Sequence, residues 1–323
     1  MIEVRQISKA FRDVQALRGI AFRVGKGEII GLVGKNGAGK STTLKVLSGQ
    51  LLPSAGDALV DGCSVVNDPL EVRRRIGYLP ETPPLYPEMT PRSYLLFAAQ
   101  LRGVAGPLAR GRVDDVIAKT GLEPVATRPM LGLSRGYQQR VGIAQAIVHN
   151  PPVLLLDEPM AGLDPLQIVQ IRELIRSLKH DHTLLFSSHI LAEITNVCDR
   201  IVLIDQGQVK AEGSEAELRK NLLQSRRLVA TVLGDRAKLV AALQKIPGVS
   251  VTAEAGSEPG TVTARIQAES TAGDPRERVS RACAEAGLAL LELRAEDHGL
   301  EDLFLMVLGD PSKSGATGGK ATP

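Results

Sequence analysis

The chain reads as an α/β protein, a parallel-sheet domain carrying a helical subdomain, with a small α+β domain after it. Three observations predict this. The apolar run 28–33 ends in a glycine-rich loop that opens a helical pattern. A second apolar run, 153–156, ends in two carboxylates, Asp157 and Glu158. Past about residue 222, short strand patterns alternate with helical ones. At 323 residues the chain exceeds the usual single-domain size, which fits two domains.

Residues 2–7, 20–24 and 57–60 read as short strands, the second alternating and ending in the turn signal Gly25-Lys26-Gly27. The loop Gly34-Lys35-Asn36-Gly37-Ala38-Gly39-Lys40-Ser41, followed by Thr42, has the P-loop form G-x-x-x-x-G-K-S. Its glycines let successive N–H groups face an anion, and the helix after it adds its positive end. Lys40 is placed to reach the β- and γ-phosphates, and Ser41 to ligate Mg²⁺.

Ile76–Leu79 is a short strand stopped by Pro80. Thr90 and Pro91 then fit the N-cap and first position of a helix that opens a helical block over about 90–150. In the strand ending at Asp157 and Glu158, adjacent residues face opposite sides, so the two carboxylates take different roles. Asp157 suits the Mg²⁺ shell. Asp164-Pro165 starts a helix to Leu178; 183–187 and 200–204 read as core strands, and Ser214-x-x-Glu217 as a capping box.

The second unit, 223–309, orders as βαββαβ, which fits a ferredoxin-like sandwich. Its elements are strand 228–232, helix 236–245, a hairpin over 249–251 and 261–266, helix 276–286 and strand 288–293. Residues 299–308 read as a closing helix, and 310–323 as a disordered tail.

After the P-loop come Leu133-Ser134-Arg135-Gly136-Tyr137-Gln138-Gln139, then Asp157-Glu158, then Ala161-Gly162-Leu163-Asp164, then Ser187-Ser188-His189. This order resembles the ATP-binding subunits of ABC transporters over residues 1–222. The resemblance implies ATP and Mg²⁺ as ligands. It makes Glu158 the general base, with Lys40 and His189 the other catalytic groups. It places Phe11 over the adenine and the P-loop residues Gly34, Asn36, Gly37, Ala38, Gly39, Lys40, Ser41 and Thr42 around the phosphates. Ser41, Asp157 and Glu81 fall at the metal. Glu81 stands where the family has a glutamine, adding charge and removing an amide donor. Ser134 and Gly136 match the family signature, which meets the γ-phosphate of an opposite protomer, whereas Arg135 and Tyr137 depart from it. Arg135 adds charge to that contact. Residues 82–89 fall where the family meets a membrane subunit.

The partners implied are a second copy or related ATPase and a separate multi-span permease, with the chain cytoplasmic on the inner face of the cell membrane. The variant signature, Glu81 and Ser187–Leu191 resemble drug, polysaccharide and gliding-motility exporter ATPases. Two other readings are an importer ATPase whose C-terminal domain binds a regulatory ligand and a soluble ATPase acting on ribosomes or DNA. The single cassette and the absence of sustained heptads argue against the second. Residues 228–309 carry no polar constellation favouring ligand binding, so dimerisation or a structural role is expected there.

Composition agrees. Hydrophobic content of 43% and charged content of 23% are those of a globular protein. A net charge of +3 and 3% aromatics give no case for nucleic acid. The three cysteines are too far apart for a disulfide framework, and no run approaches the roughly 20 residues of a membrane span. The N-terminus does not read as a signal peptide.

Overall fold

The computed structural model describes residues 1–195, 197–222, 225–256, 258–269 and 275–295. The expected helix 299–308 and tail 310–323 lie outside the described residues. The described chain divides into two compact units, one over Met1–Glu215 and one beginning at Ala216.

The first unit opens with β1 (Ile2–Phe11) and β2 (Val14–Val24), then the P-loop strand β3 (Ile29–Val33) and its helix α1 (Lys40–Leu47). Next come β4 (Ala55–Val60), β5 (Cys63–Ser64), α2 (Pro69–Arg75) and β6 (Ile76–Leu79). The helical block holds α3 (Pro91–Leu101), α4 (Gly106–Thr120) and α5 (Arg135–Ile147). Then follow β7 (Val153–Leu156), α6 (Pro165–Leu178), β8 (Thr183–Ser188), α7 (Leu191–Thr195), β9 (Arg200–Asp205) and β10 (Gln208–Gly213), after which α8 (Glu215–Leu222) leads into the second unit.

Two sheets result. The first is antiparallel, ordered β2-β1-β4-β5. The second is ordered β10-β9-β3-β8-β7-β6 and is parallel except for the β9–β10 edge hairpin. Every residue of β3, β6, β7 and β8 is buried, which explains why these strands carry near-continuous apolar stretches rather than alternating ones, β8 turning polar only at Thr183, Ser187 and Ser188. Parallel pairing also carries the C-terminal ends of these strands to one edge, the usual ligand edge of such sheets. Those ends lead into the P-loop, Glu81, Asp157 and His189.

Caps stand where the sequence places them. Thr90 accepts from the Ser93 N–H at 3.2 Å, and Asp164 from the Gln167 N–H at 2.9 Å. The sequence reading did not find α2 or β10. The first is a short helix whose clearest mark is Pro69 at its start, and the second is an edge strand with mixed burial.

The second unit contains β11 (Ser225–Leu233), α9 (Arg236–Gln244), β12 (Val249–Ala255), β13 (Thr261–Glu269), α10 (Pro275–Glu285) and β14 (Ala289–Ala295). Its sheet is antiparallel in the order β12-β13-β11-β14, the ferredoxin-like arrangement. Leu239 and Leu243 of α9 pack with Val279 and Cys283 of α10 and with Ala230, Ala264 and Ile266 of the sheet in one core.

Candidate nucleotide site

β3 ends at Val33, and the chain turns through Gly34–Gly39 into α1. Gly39 has φ 108, and a Cβ there would lie 2.7 Å from Leu17 Cδ2 and 2.9 Å from the Ala16 carbonyl oxygen. The loop therefore takes a left-handed backbone and a close approach that only glycine allows. Gly39 is also the N-cap of α1 and offers no side-chain cap, so the first-turn N–H groups stay open to an anion.

Lys40 is only 5% exposed. Its Nζ donates to the Gly34 carbonyl at 2.8 Å and to the Lys35 carbonyl at 3.3 Å, and stands 3.3 Å from Glu158 Oε1. Glu158 Oε2 meets His189 Nδ1 at 2.8 Å. Glu158 is thus held between a buried ammonium, which offsets the cost of burying its charge, and an imidazole. Its backbone has φ 47, strained for a residue with a side chain. Two hydrogen bonds hold that turn. The Glu158 N–H donates to Ser187 Oγ at 2.8 Å, and the Glu158 carbonyl accepts from the Ala161 N–H at 3.1 Å.

Asp157 takes different partners, as strand alternation requires. Ser41 Oγ donates to its Oδ1 at 3.0 Å and Ser187 Oγ donates to the same atom at 2.7 Å. Burial pushes the Asp157 carboxyl above the usual range; the two hydroxyls oppose that rise, and the charges of Glu158 and Glu81 add to it.

The cleft encloses about 430 Å³, lined by Lys35 to Thr42, Ala16, Glu81, Glu158, Ala161 and His189. It gathers Asn36, Gly37, Ala38, Gly39, Lys40, Ser41, Thr42, Glu81, Glu158 and His189 from the sequence reading. Gly34 lies behind the loop, where a Cβ would fall 2.2 Å from the Ile204 carbonyl oxygen. Asp157 sits behind Ser41. Phe11 does not line the cleft; it is 44% exposed, with Lys9 Nζ 5.2 Å from its ring centre. Ser134 and Gly136 stand at the start of α5, outside the cleft of their own chain. Ser134 is exposed and Gly136 buried.

Sequence reasoning gave no role to Ala16, Lys35, Ala161 or Ser187. Ser187 touches both carboxylate residues, and its signal is register: β7 pairs Leu156 with Phe186, so the next residues are neighbours. It also missed a cavity of about 470 Å³ in the second unit, between α9 and α10, bordered by Lys245, Arg278 and Arg281.

A strand, a glycine loop into an uncapped helix, a buried lysine and a neighbouring strand ending in carboxylates define a P-loop nucleoside triphosphatase. Comparison with known proteins gives the family. The ABC transporter family model matches residues 17–161. An ABC transporter ATP-binding protein of Bacillus subtilis, YxlF, is 32% identical, with 95% of this chain and 99% of that protein covered. The daunorubicin/doxorubicin resistance ATP-binding protein DrrA of Streptomyces peucetius is 33% identical over 98% of this chain and 94% of its own length. The chain belongs to the ABC transporter ATP-binding proteins and is an ATPase subunit of that family. Among solved structures, an ATP-binding subunit of an ABC transporter aligns with TM-score 0.62 and 34% identity, covering 68% of this chain and 92% of that one. A dimeric post-hydrolysis cassette bound to ADP and Pi aligns with TM-score 0.61 and 26% identity, covering 66% and 98%.

Proposed function

We propose that the chain hydrolyses Mg·ATP at composite sites of a dimer and drives export through a separate multi-span membrane subunit. The observation that carries the reading is Glu158 held between Lys40 and His189 at the mouth of the P-loop. When the phosphates fill the loop, Lys40 turns from Glu158 to the γ-phosphate. Glu158 is then free to take a proton from the attacking water, and His189 orients both. The first-turn N–H groups of α1 and the Lys40 charge stabilise the charge that develops.

Magnesium fits the donor set. Asp157 and Ser41 are hard oxygen ligands already 3.0 Å apart, and the Asp157 carboxyl, raised by burial and further by the charges of Glu158 and Glu81, is one whose ionised form a cation would stabilise. Ser41, Asp157 and Glu81 would hold it, and it would supply neutralisation of the phosphate oxygens. Phe11 supplies a weak, base-tolerant stacking surface.

Exposed Ser134 and the buried Gly136 N–H supply the second half of the site to an opposite protomer. A dimeric cassette among the structural relatives supports this. Export is supported by DrrA, by the linearmycin resistance ATP-binding protein LnrL and by the bacitracin transport ATP-binding protein BcrA. No helix among the described residues is long and apolar enough to cross a membrane, and we assign the channel to another chain. We place this chain on the inner face of the membrane, with the exposed Tyr86 and Phe97 facing that partner. We assign residues 1–222 to the ATPase domain and 223–309 to an accessory domain.

The test is Mg²⁺-dependent phosphate release by the purified chain beside Glu158→Gln, with mass followed by light scattering. Wild type is expected to turn over slowly. The variant should lose about 10²–10⁴-fold, as removal of a general base does, and form an ATP-stabilised dimer. A Glu158→Gln chain that hydrolyses ATP normally would contradict the reading.

A further inference from the structure

Arg135, a departure from the family signature, opens α5 at its positive end, in a first turn with no acidic residue. A cation there opposes the helix dipole. The side chain lies instead on a glycine. A Cβ built on Gly162 would stand 2.7 Å from Arg135 Cζ, 2.8 Å from Nη1 and 3.1 Å from Nε. Near-equal distances to three atoms of one plane mean that the guanidinium covers Gly162 face-on. Gly162 has φ 69, so its backbone favours glycine, and a Cβ there would push the guanidinium off the turn.

The contact is part of a seam. A Cβ on Gly136 would lie 2.8 Å from Gln167 Cδ, and Arg140 Nη2 donates to Gln170 Oε1 at 2.8 Å. These three contacts tie the start of α5 to the turn 158–164 and to α6. That turn begins at Glu158, whose carbonyl accepts from the Ala161 N–H, and Ala161 precedes the glycine that Arg135 covers.

We propose that Arg135 is a positioning residue that clamps the turn carrying Glu158 to the signature helix, so that occupancy of the signature sets the catalytic carboxylate within the same chain. The clamp rests on the composite-site reading for its consequence: nucleotide held by the partner protomer orders Glu158 here, and the two sites fire together. Arg135 acts through Gly162 and does not touch phosphate.

The experiment compares Arg135→Ala, Arg135→Lys, Gly162→Ala and Arg135→Ala/Gly162→Ala in steady-state hydrolysis by the full chain. It adds ATP-driven dimerisation in a Glu158→Gln background. Arg135→Ala should lower kcat about tenfold, with KM within about twofold and with loss of ATP cooperativity, as misplacement of a catalytic group does. Gly162→Ala loses the same contact and adds strain at φ 69, so it should lower kcat at least as much, and the double variant should be no worse than Gly162→Ala alone, because removing Arg135 costs nothing once the contact is gone. Lysine should not rescue, since it has no flat face. The Glu158→Gln dimer should form equally with and without Arg135. Wild-type kcat in Arg135→Ala, full rescue by lysine, or a dimer weakened in step with activity would overturn the clamp. If Glu158→Gln alone stays monomeric with Mg·ATP, the composite reading fails, and the kcat and non-additivity results still decide the clamp.

Discussion

The P-loop cleft and the signature helix differ in how complete they are. At the cleft three charged groups already have partners: Lys40 has Glu158 and two carbonyls, Asp157 has two hydroxyls, and Glu158 has His189. At the start of α5, Ser134 is exposed, and its hydroxyl only accepts a long 3.5 Å hydrogen bond from the Tyr137 N–H. The difference separates two tasks. A pre-paired cleft trades internal partners for phosphate and so binds nucleotide alone. A helix start facing outward completes nothing in its own chain and serves where a second surface brings the anion to it.

The largest effect should come from breaking the cleft. Lys40→Ala removes the phosphate cation and leaves Glu158 buried beside a void. Hydrolysis should fall at least about 10²–10³-fold, the range for losing a preorganised charge contact, and nucleotide binding by titration should fall with it. Breaking the other half should leave binding intact. Ser134→Asp keeps an N-cap but meets the γ-phosphate with a carboxylate, so hydrolysis should drop about 10²-fold. Binding of a fluorescent nucleotide to dilute, single chains should stay at the wild-type level. If both variants lose binding alike, the division of tasks is wrong.

A smaller effect sharpens the contrast from the side of stability. The folded Asp157 carboxyl is raised by burial, so its ionised form is disfavoured in the folded chain. The stabilising contribution of its protonated form is complete below the unfolded carboxylate range and is lost as pH rises through the folded value. Asp157→Asn should therefore raise the melting temperature of the nucleotide-free chain at neutral pH by a few °C, corresponding to about 1 kcal/mol. The gain should shrink as acid protonates Asp157, and hydrolysis should be lost throughout. A variant less stable than wild type at neutral pH would show that the ionised carboxylate is well solvated by Ser41 and Ser187.

Much of this was legible because the chemistry sits in contiguous motifs. The P-loop needs its glycines, Lys40 and Ser41 in one run, and a strand buried on both faces is favoured as an apolar run, so Val153–Leu156 announces Asp157. Contacts across the fold were not legible. Lys40 meets Glu158, Ser187 meets Asp157 and Arg135 covers Gly162 only after parallel strands and the α5–α6 approach bring them together. The left-handed backbone at Glu158 has no sequence signal, because turn chemistry favours glycine or asparagine there. Phe11, expected over the adenine, is exposed beside Lys9 and outside the cleft, which Ala16 lines without any signal in the sequence.

The central claim, that one chain carries two half-sites completed only by a second protomer, is tested most directly by mixing Lys40→Ala chains with Ser134→Asp chains. Each alone should be nearly inactive. Together they pair an intact P-loop from one with an intact signature from the other, and the account predicts that hydrolysis returns on mixing, with a rate that rises and saturates as the partner is added. A mixture no more active than the sum of its two components, while wild type turns over under the same conditions, would contradict it.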